Sequence, residues 1–129
     1  MHLGGRTSLD DIYWRTRSWS ATQAYSESKL YVAAIVAAVT RHWLDVLSNS
    51  VNPGWVPTKM GGEGAPDDLE KGHQTQTWLA VSRDEKAMVS GHYWFHKQQV
   101  QSAPAVNDQT FQERLIDRLE EMTGETLFS

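Results

Sequence analysis

Ten consecutive apolar residues, Leu30 to Val39, constrain this chain's fold more than any other stretch of it. They sit inside a helix that Ser20 or Thr22 can cap and that runs to about Trp43. A helix apolar on every face is a helix buried on all sides. Four alanines in the run, Ala33, Ala34, Ala37 and Ala38, let a neighbouring backbone come close. Crossing a bilayer takes about 20 apolar residues, so what covers this helix is expected to be protein, with no membrane partner.

The rest of the chain supplies few candidates for that cover. Residues 1 to about 20 have no sustained periodicity and read as a loop. Leu47 to Val51 is a short strand candidate, stopped by Asn52-Pro53-Gly54 because proline cannot donate to a sheet ladder. Thr58 to Ala65 is a glycine-rich loop. Pro66 suits a first helical position, and Asp67 and Asp68 favour the positive end of a helix dipole. That second helix is expected to run to about Ser82, with Leu69, Gln76, Leu79 and Ala80 facing inward. Val89 to Gln99, rich in aromatics, reads as a second strand. Asp108 then caps an amphipathic helix with Phe111, Leu115, Leu119 and Met122 on one stripe, ended by Gly124. The order is helix-strand-helix-strand-helix. A helix buried all round and two parallel-type strands need a larger sheet than this chain contains. Residues 1–129 therefore read as a single, incomplete domain.

Composition excludes several function classes. A net charge of −4 with no basic cluster argues against a nucleic-acid surface. The chain has no cysteine, which removes disulfides and thiolate metal ligands and fits a cytoplasmic protein. The N-terminus lacks the apolar core of a signal peptide. His92 and His96 are four apart; on a strand their Cα atoms would lie about 13 Å apart, too far to share an ion, so no metal site is expected. His73 reads as a polar surface residue, and Glu63, Asp67, Asp68 and Glu70 as a solvated edge. The six tryptophans are spread along the chain, most for packing and one or two as pocket walls.

The chemistry-bearing pair is Tyr25 and Lys29. Four apart on a helix, they share one face with Cβ atoms about 6 Å apart. A phenol beside an ammonium is a proton-transfer pair, because the cation favours phenolate. Taken alone, the spacing is more often that of a partly buried helix tyrosine and a solvated lysine.

The segment Ala24-Tyr25-Ser26-Glu27-Ser28-Lys29-Leu30, followed by Asn52-Pro53-Gly54-Trp55-Val56-Pro57-Thr58, resembles the short-chain dehydrogenase/reductase family. The active-site helix of that family carries Tyr-x-x-x-Lys, and its next strand ends in a Pro-Gly-x-Val-x-Thr turn over the nicotinamide. His2-Leu3-Gly4-Gly5 and Leu9-Asp10-Asp11-Ile12 resemble the retinol-dehydrogenase-like and carbonyl-reductase-like branch. The resemblance covers nearly the whole chain and matches the C-terminal half of such a protein. It implies an α/β fold, the C-terminal portion of a doubly wound Rossmann-type parallel sheet whose N-terminal half is missing here.

The resemblance also implies a chemistry. Tyr25 and Lys29 are the implied catalytic residues. Tyr25, Lys29, Pro53, Gly54, Val56 and Thr58 are the implied contacts for NAD or NADP, and the substrate is a small carbonyl or alcohol. The Gly-rich turn that seats a dinucleotide pyrophosphate has no counterpart before residue 60, and Gly61-Gly62-Glu63-Gly64 opens no βαβ unit. The family's catalytic serine falls upstream of Met1, while Ser8, Ser18 and Ser20 match the intervening loop. Trp55, Met60 and Gly61-Gly62 suit an apolar substrate pocket. The 22–43 helix suits a homodimer face. Two function classes follow. One is an NAD(P)-dependent oxidoreductase fragment, inactive alone. The other is a non-catalytic remnant or interaction module of the same fold.

Overall fold

The computed structural model describes residues 1–129 and resolves them into two compact units, residues 1–44 with 102–129, and residues 45–101. Helix α1 of the first unit is Ala21–His42. It starts where Ser20, in extended backbone, accepts the Gln23 N–H on its hydroxyl at 3.2 Å. Helix α3 is Gln109–Thr123, opened by Asp108 accepting the Phe111 N–H and closed by Gly124 at φ 74°. Both boundaries of α3 match the expected cap and stop, because a left-handed C-cap costs glycine nothing.

The core of this unit is where α1 and α3 meet. Leu30, Ala33, Ala34 and Ala37 pack with Leu9, Ala103, Val106, Phe111 and Leu115. The alanines do allow close approach on this side: Ala34 and Leu115 are fully buried. The N-terminal loop is drawn against the same helix. A Cβ on Gly5 would come within 2.9 Å of Leu30 Cβ, so only glycine fits there without a shift. His2 is buried, and its Nε2 accepts the Ala103 N–H at 2.9 Å. Burial, and then the nearby N-terminal ammonium, hold its pKa below the usual histidine value.

Burial on all sides of α1 does not hold. Val32 is 54% exposed, and Tyr31, Ile35 and Val36 are half-buried. Burial follows the face that meets α3 and the N-terminal loop. Tyr25, Lys29 and Val32, all exposed, and the half-buried Val36 fall on one line of the opposite face at steps of four, three and four.

The second unit is built on three short strands in the order β1-β2-β3: β1 Ser50–Asn52, β2 Tyr93–Phe95 and β3 Gln98–Val100. β1 runs parallel to β2 with Val51 beside Trp94, and β3 runs antiparallel to β2 with Gln99 beside Trp94. The sheet is thus mixed, where two parallel-type strands were expected. The expected strand from Val89 to Gln99 is a hairpin folded at His96 and Lys97, with φ of 47° and 60°. Two positive-φ residues make the tight turn that matches strand twist, and glycine or asparagine usually supplies it. No such residue marked it in the sequence.

The first strand begins later than expected because Ser48 and Asn49 bond sideways. Asn49 Nδ2 donates to the Val89 carbonyl at 2.7 Å, and the Ser48 N–H donates to Ser90 Oγ at 2.8 Å. Helix α2, Lys71–Val81, likewise starts five residues beyond Pro66. Asp67 is held by the Trp55 backbone, donating to its carbonyl at 3.0 Å and accepting its N–H, and Asp68 Oδ1 caps Lys71 at 3.1 Å. The inward residue of α2 is Thr75, 1% exposed; Leu69, Gln76 and Ala80 are exposed and Leu79 is half-buried. Trp78 packs edge-on against the buried Trp94 at 5.4 Å, joining helix to sheet. No helix is long and apolar enough to cross a membrane.

Candidate active site

Tyr25 and Lys29 lie one turn apart on one exposed line of α1, and Lys29 Nζ is 5.2 Å from the Tyr25 ring centroid. Tyr25 is 39% exposed and Lys29 is exposed, with no ion pair to any carboxylate. The structure therefore brings phenol and ammonium together where both can meet another molecule.

The helix segment bearing this pair is anchored from its other side. Between the two residues in sequence, Glu27 is 2% exposed, and both its oxygens accept from Arg17 Nη1, at 2.7 and 3.1 Å. The Arg17 guanidinium lies over the Trp14 ring at 3.6 Å, and Trp14 packs edge-on against Trp19 at 5.1 Å. Asp11 shapes this loop by accepting the backbone N–H groups of Arg15, Thr16 and Arg17 at 2.7–2.9 Å. The Arg17 and Thr16 N–H bonds hold the Asp11 carboxyl well below the usual carboxylate range. Tyr31, one turn beyond Glu27, has its pKa raised by burial and then by the Glu27 carboxylate. Sequence reasoning missed the Arg17–Glu27 pair. A glutamate between Tyr25 and Lys29 reads as solvated, and Arg17 lies in the irregular segment before α1, so no periodicity links them.

The other expected contacts, Pro53, Gly54, Val56 and Thr58, belong to the second unit and form its turn after β1. Asn52 Oδ1 accepts the Gly54 N–H at 2.9 Å, and Gly54 has φ 83°. The Thr58 N–H donates to the Val56 carbonyl at 2.8 Å, while Thr58 Oγ1 and O accept the N–H groups of Gly61 and Gly62. The Trp55 indole donates to the Gly61 carbonyl at 2.8 Å. A Cβ on Gly61 would sit 2.0 Å from the Val56 carbonyl oxygen, so the Gly61 glycine is a requirement of the turn. Gly72 at the start of α2 approaches Val56 Cγ1, where a Cβ would come to 2.9 Å. Pro53 and Thr58 are exposed, and Gly54 and Val56 half-buried, on a turn fixed by its own bonds. Trp55 and Met60 are exposed. No cluster of three or more histidine, aspartate or glutamate side chains could hold a metal ion.

No protein-family model matches the chain, and no solved structure matches it. Curated proteins do. Short-chain dehydrogenase chyC of Penicillium rubens is 34% identical over 128 residues, covering 96% of this chain and 49% of that protein. Short-chain dehydrogenase chry4 of Gibberella zeae is 32% identical over 127 residues, with the same coverage of 96% and 49%. Human retinol dehydrogenase 13 is 28% identical over 134 residues, covering 88% of this chain and 40% of that protein. The chain spans about half the length of the curated relatives it matches. Nearly its whole length aligns with proteins bearing the family's name, and the chain belongs to the short-chain dehydrogenase/reductase family.

Proposed function

We propose that residues 1–129 are the proton-transfer half of an NAD(P)-dependent oxidoreductase that reduces a small carbonyl or oxidises the matching alcohol. The observation that carries this reading is the exposed line of α1 that presents Tyr25 and Lys29 side by side and continues into Val32. A nicotinamide cofactor, when bound, supplies or accepts the hydride. The residues available to it fit that role: Lys29 is an unpaired ammonium for ribose hydroxyls, and the Pro53–Thr58 turn offers backbone and a hydroxyl at a glycine-lined surface. In reduction, the Tyr25 hydroxyl gives its proton to the substrate carbonyl oxygen, and Lys29 offsets the charge left on the phenolate. In oxidation, the phenolate removes the alcohol proton.

The alternative is a non-catalytic remnant or interaction module of the same fold. One experiment separates the two. Residues 1–129 replace the matching half of the Penicillium rubens short-chain dehydrogenase, and the chimera is assayed for NADH and NADPH oxidation with a panel of aldehydes and ketones. Turnover supports the proton-transfer reading. A chimera that binds cofactor without turnover supports the remnant.

A further inference from the structure

Glu27 stands midway between Tyr25 and Lys29 in α1, and its carboxylate is the only one buried in the chain. At 3.6 residues per turn it lies about 200° around the helix from each of them, directly behind the pair. We infer that Arg17 and Glu27 are positioning residues for the proton transfer proposed for Tyr25, a role that rests on that proposal. Their ion pair sets the rotation of α1, and with it the direction in which the phenol and the ammonium face.

Stability alone does not call for a charge at this place. An apolar pair of similar volume stabilises a buried contact as well as an ion pair, or better. Apolar contact is non-directional, however, whereas a charge-assisted hydrogen bond fixes geometry. Arg17 Nη1 serves both Glu27 oxygens, at 2.7 and 3.1 Å. The guanidinium is itself seated on the Trp14 face at 3.6 Å. Asp11 accepts the Arg17 N–H at 2.9 Å and lies 4.0 Å from its Nε, so Glu27 is tied to a loop whose backbone is already ordered. Two further contacts act on the same turns of α1. Gln23 Nε2 donates to the Gly4 carbonyl at 3.0 Å, and the Ser26 carbonyl oxygen would sit 3.0 Å from a Cβ on Gly5.

Rotation matters because Tyr25 and Lys29 act at the outer radius of the helix. A turn of about 10° moves a group roughly 6 Å from the axis by about 1 Å. A misplacement of about 1 Å costs on the order of 10²-fold in rate. The Pro53–Thr58 turn belongs to another element, so the loss falls on kcat more than on KM for the cofactor.

The test uses the chimera of residues 1–129 with the Penicillium rubens relative, compared with its Y25F, R17L/E27L, E27M and R17K forms for Tm, kcat and cofactor KM. R17L/E27L is expected to keep Tm and lose about 10²-fold in kcat with KM within about threefold, a split that a purely structural role does not produce. E27M leaves Arg17, 20% exposed, free to turn to solvent beside Trp14. It is expected to lose kcat in the same way, and decides the matter if the double variant does not fold. R17K places one ammonium where one Nη1 now serves both oxygens, and is expected to come within about tenfold of the parent kcat. Parent-like turnover in R17L/E27L or E27M, with Y25F slowed, overturns the positioning role and leaves Tyr25 as the proton donor. Parent-like turnover in Y25F, or a chimera without turnover, overturns the proton-transfer proposal and the positioning role with it.

Discussion

Replacing Arg17 by alanine strands the Glu27 carboxylate, 2% exposed, inside the first unit. Removing one partner of a buried pair costs about 3–5 kcal/mol. The Arg17 side chain is 20% exposed, so the lower figure, about 3 kcal/mol, applies. Loss of the guanidinium from the Trp14 face, 3.6 Å away, adds about 1 kcal/mol. An unfolding entropy of about 2.1 cal/mol/K per residue gives about 0.27 kcal/mol/K for a chain of this length, so the total lowers Tm by about 15 °C. Thermal unfolding followed by ellipticity at 222 nm reads the change, because α1 and α3 hold most of the helix. Arg17→Leu with Glu27→Leu removes both charges and is expected to recover most of the loss, since an apolar pair does not leave a buried charge. A fall below about 3 °C in Arg17→Ala, or a double variant worse than the single, would refute a buried, paired carboxylate.

Four further outcomes are expected. Gly61→Ala drives a Cβ toward the Val56 carbonyl oxygen, 2.0 Å away, and opens the turn, seen as faster hydrogen exchange at the Gly62 N–H and the Trp55 indole. His2 has its pKa lowered from 6.5 in the folded chain, so the unfolded chain takes up the proton first as pH falls. Stability is then full above pH 6.5 and declines below it, and His2→Gln flattens that acid limb of the urea midpoint against pH. The 129-residue chain alone binds NADH and NADPH weakly or not at all by fluorescence titration; micromolar binding would mean that the cofactor sits elsewhere. The exposed stripe of α1 with Val32 at 54% promotes association, so light scattering of the lone chain is expected to show dimers or larger species, and a monodisperse monomer would contradict it.

The sequence announced its caps and stops best. Ser20, Asp108 and Gly124 act through bonds to residues three or four away, and local chemistry of that range is written locally. The Tyr25–Lys29 pair was legible for the same reason, one helical turn being short range. What escaped depends on distant partners. Asp67 looks like a helix starter until the Trp55 backbone, twelve residues earlier, holds it in place. Thr75 looks like a surface residue until Lys97 reaches its hydroxyl. The hairpin at His96 and Lys97 escaped because neither residue favours positive φ by itself. The apolar run of α1 named a helix correctly but overstated its burial, since a sequence records what needs cover and not whether the cover is present.

The central claim is that Tyr25 moves the proton. It is tested most directly by the turnover number of Tyr25→Phe in the chimera with the Penicillium rubens relative, measured at saturating cofactor. Tyr25 is 39% exposed and buries little when its hydroxyl is removed, so folding and cofactor affinity should stay unchanged. The account predicts a kcat lower by about 10²- to 10⁴-fold with KM for the cofactor nearly constant. A Tyr25→Phe chimera that turns over as fast as its parent would contradict it.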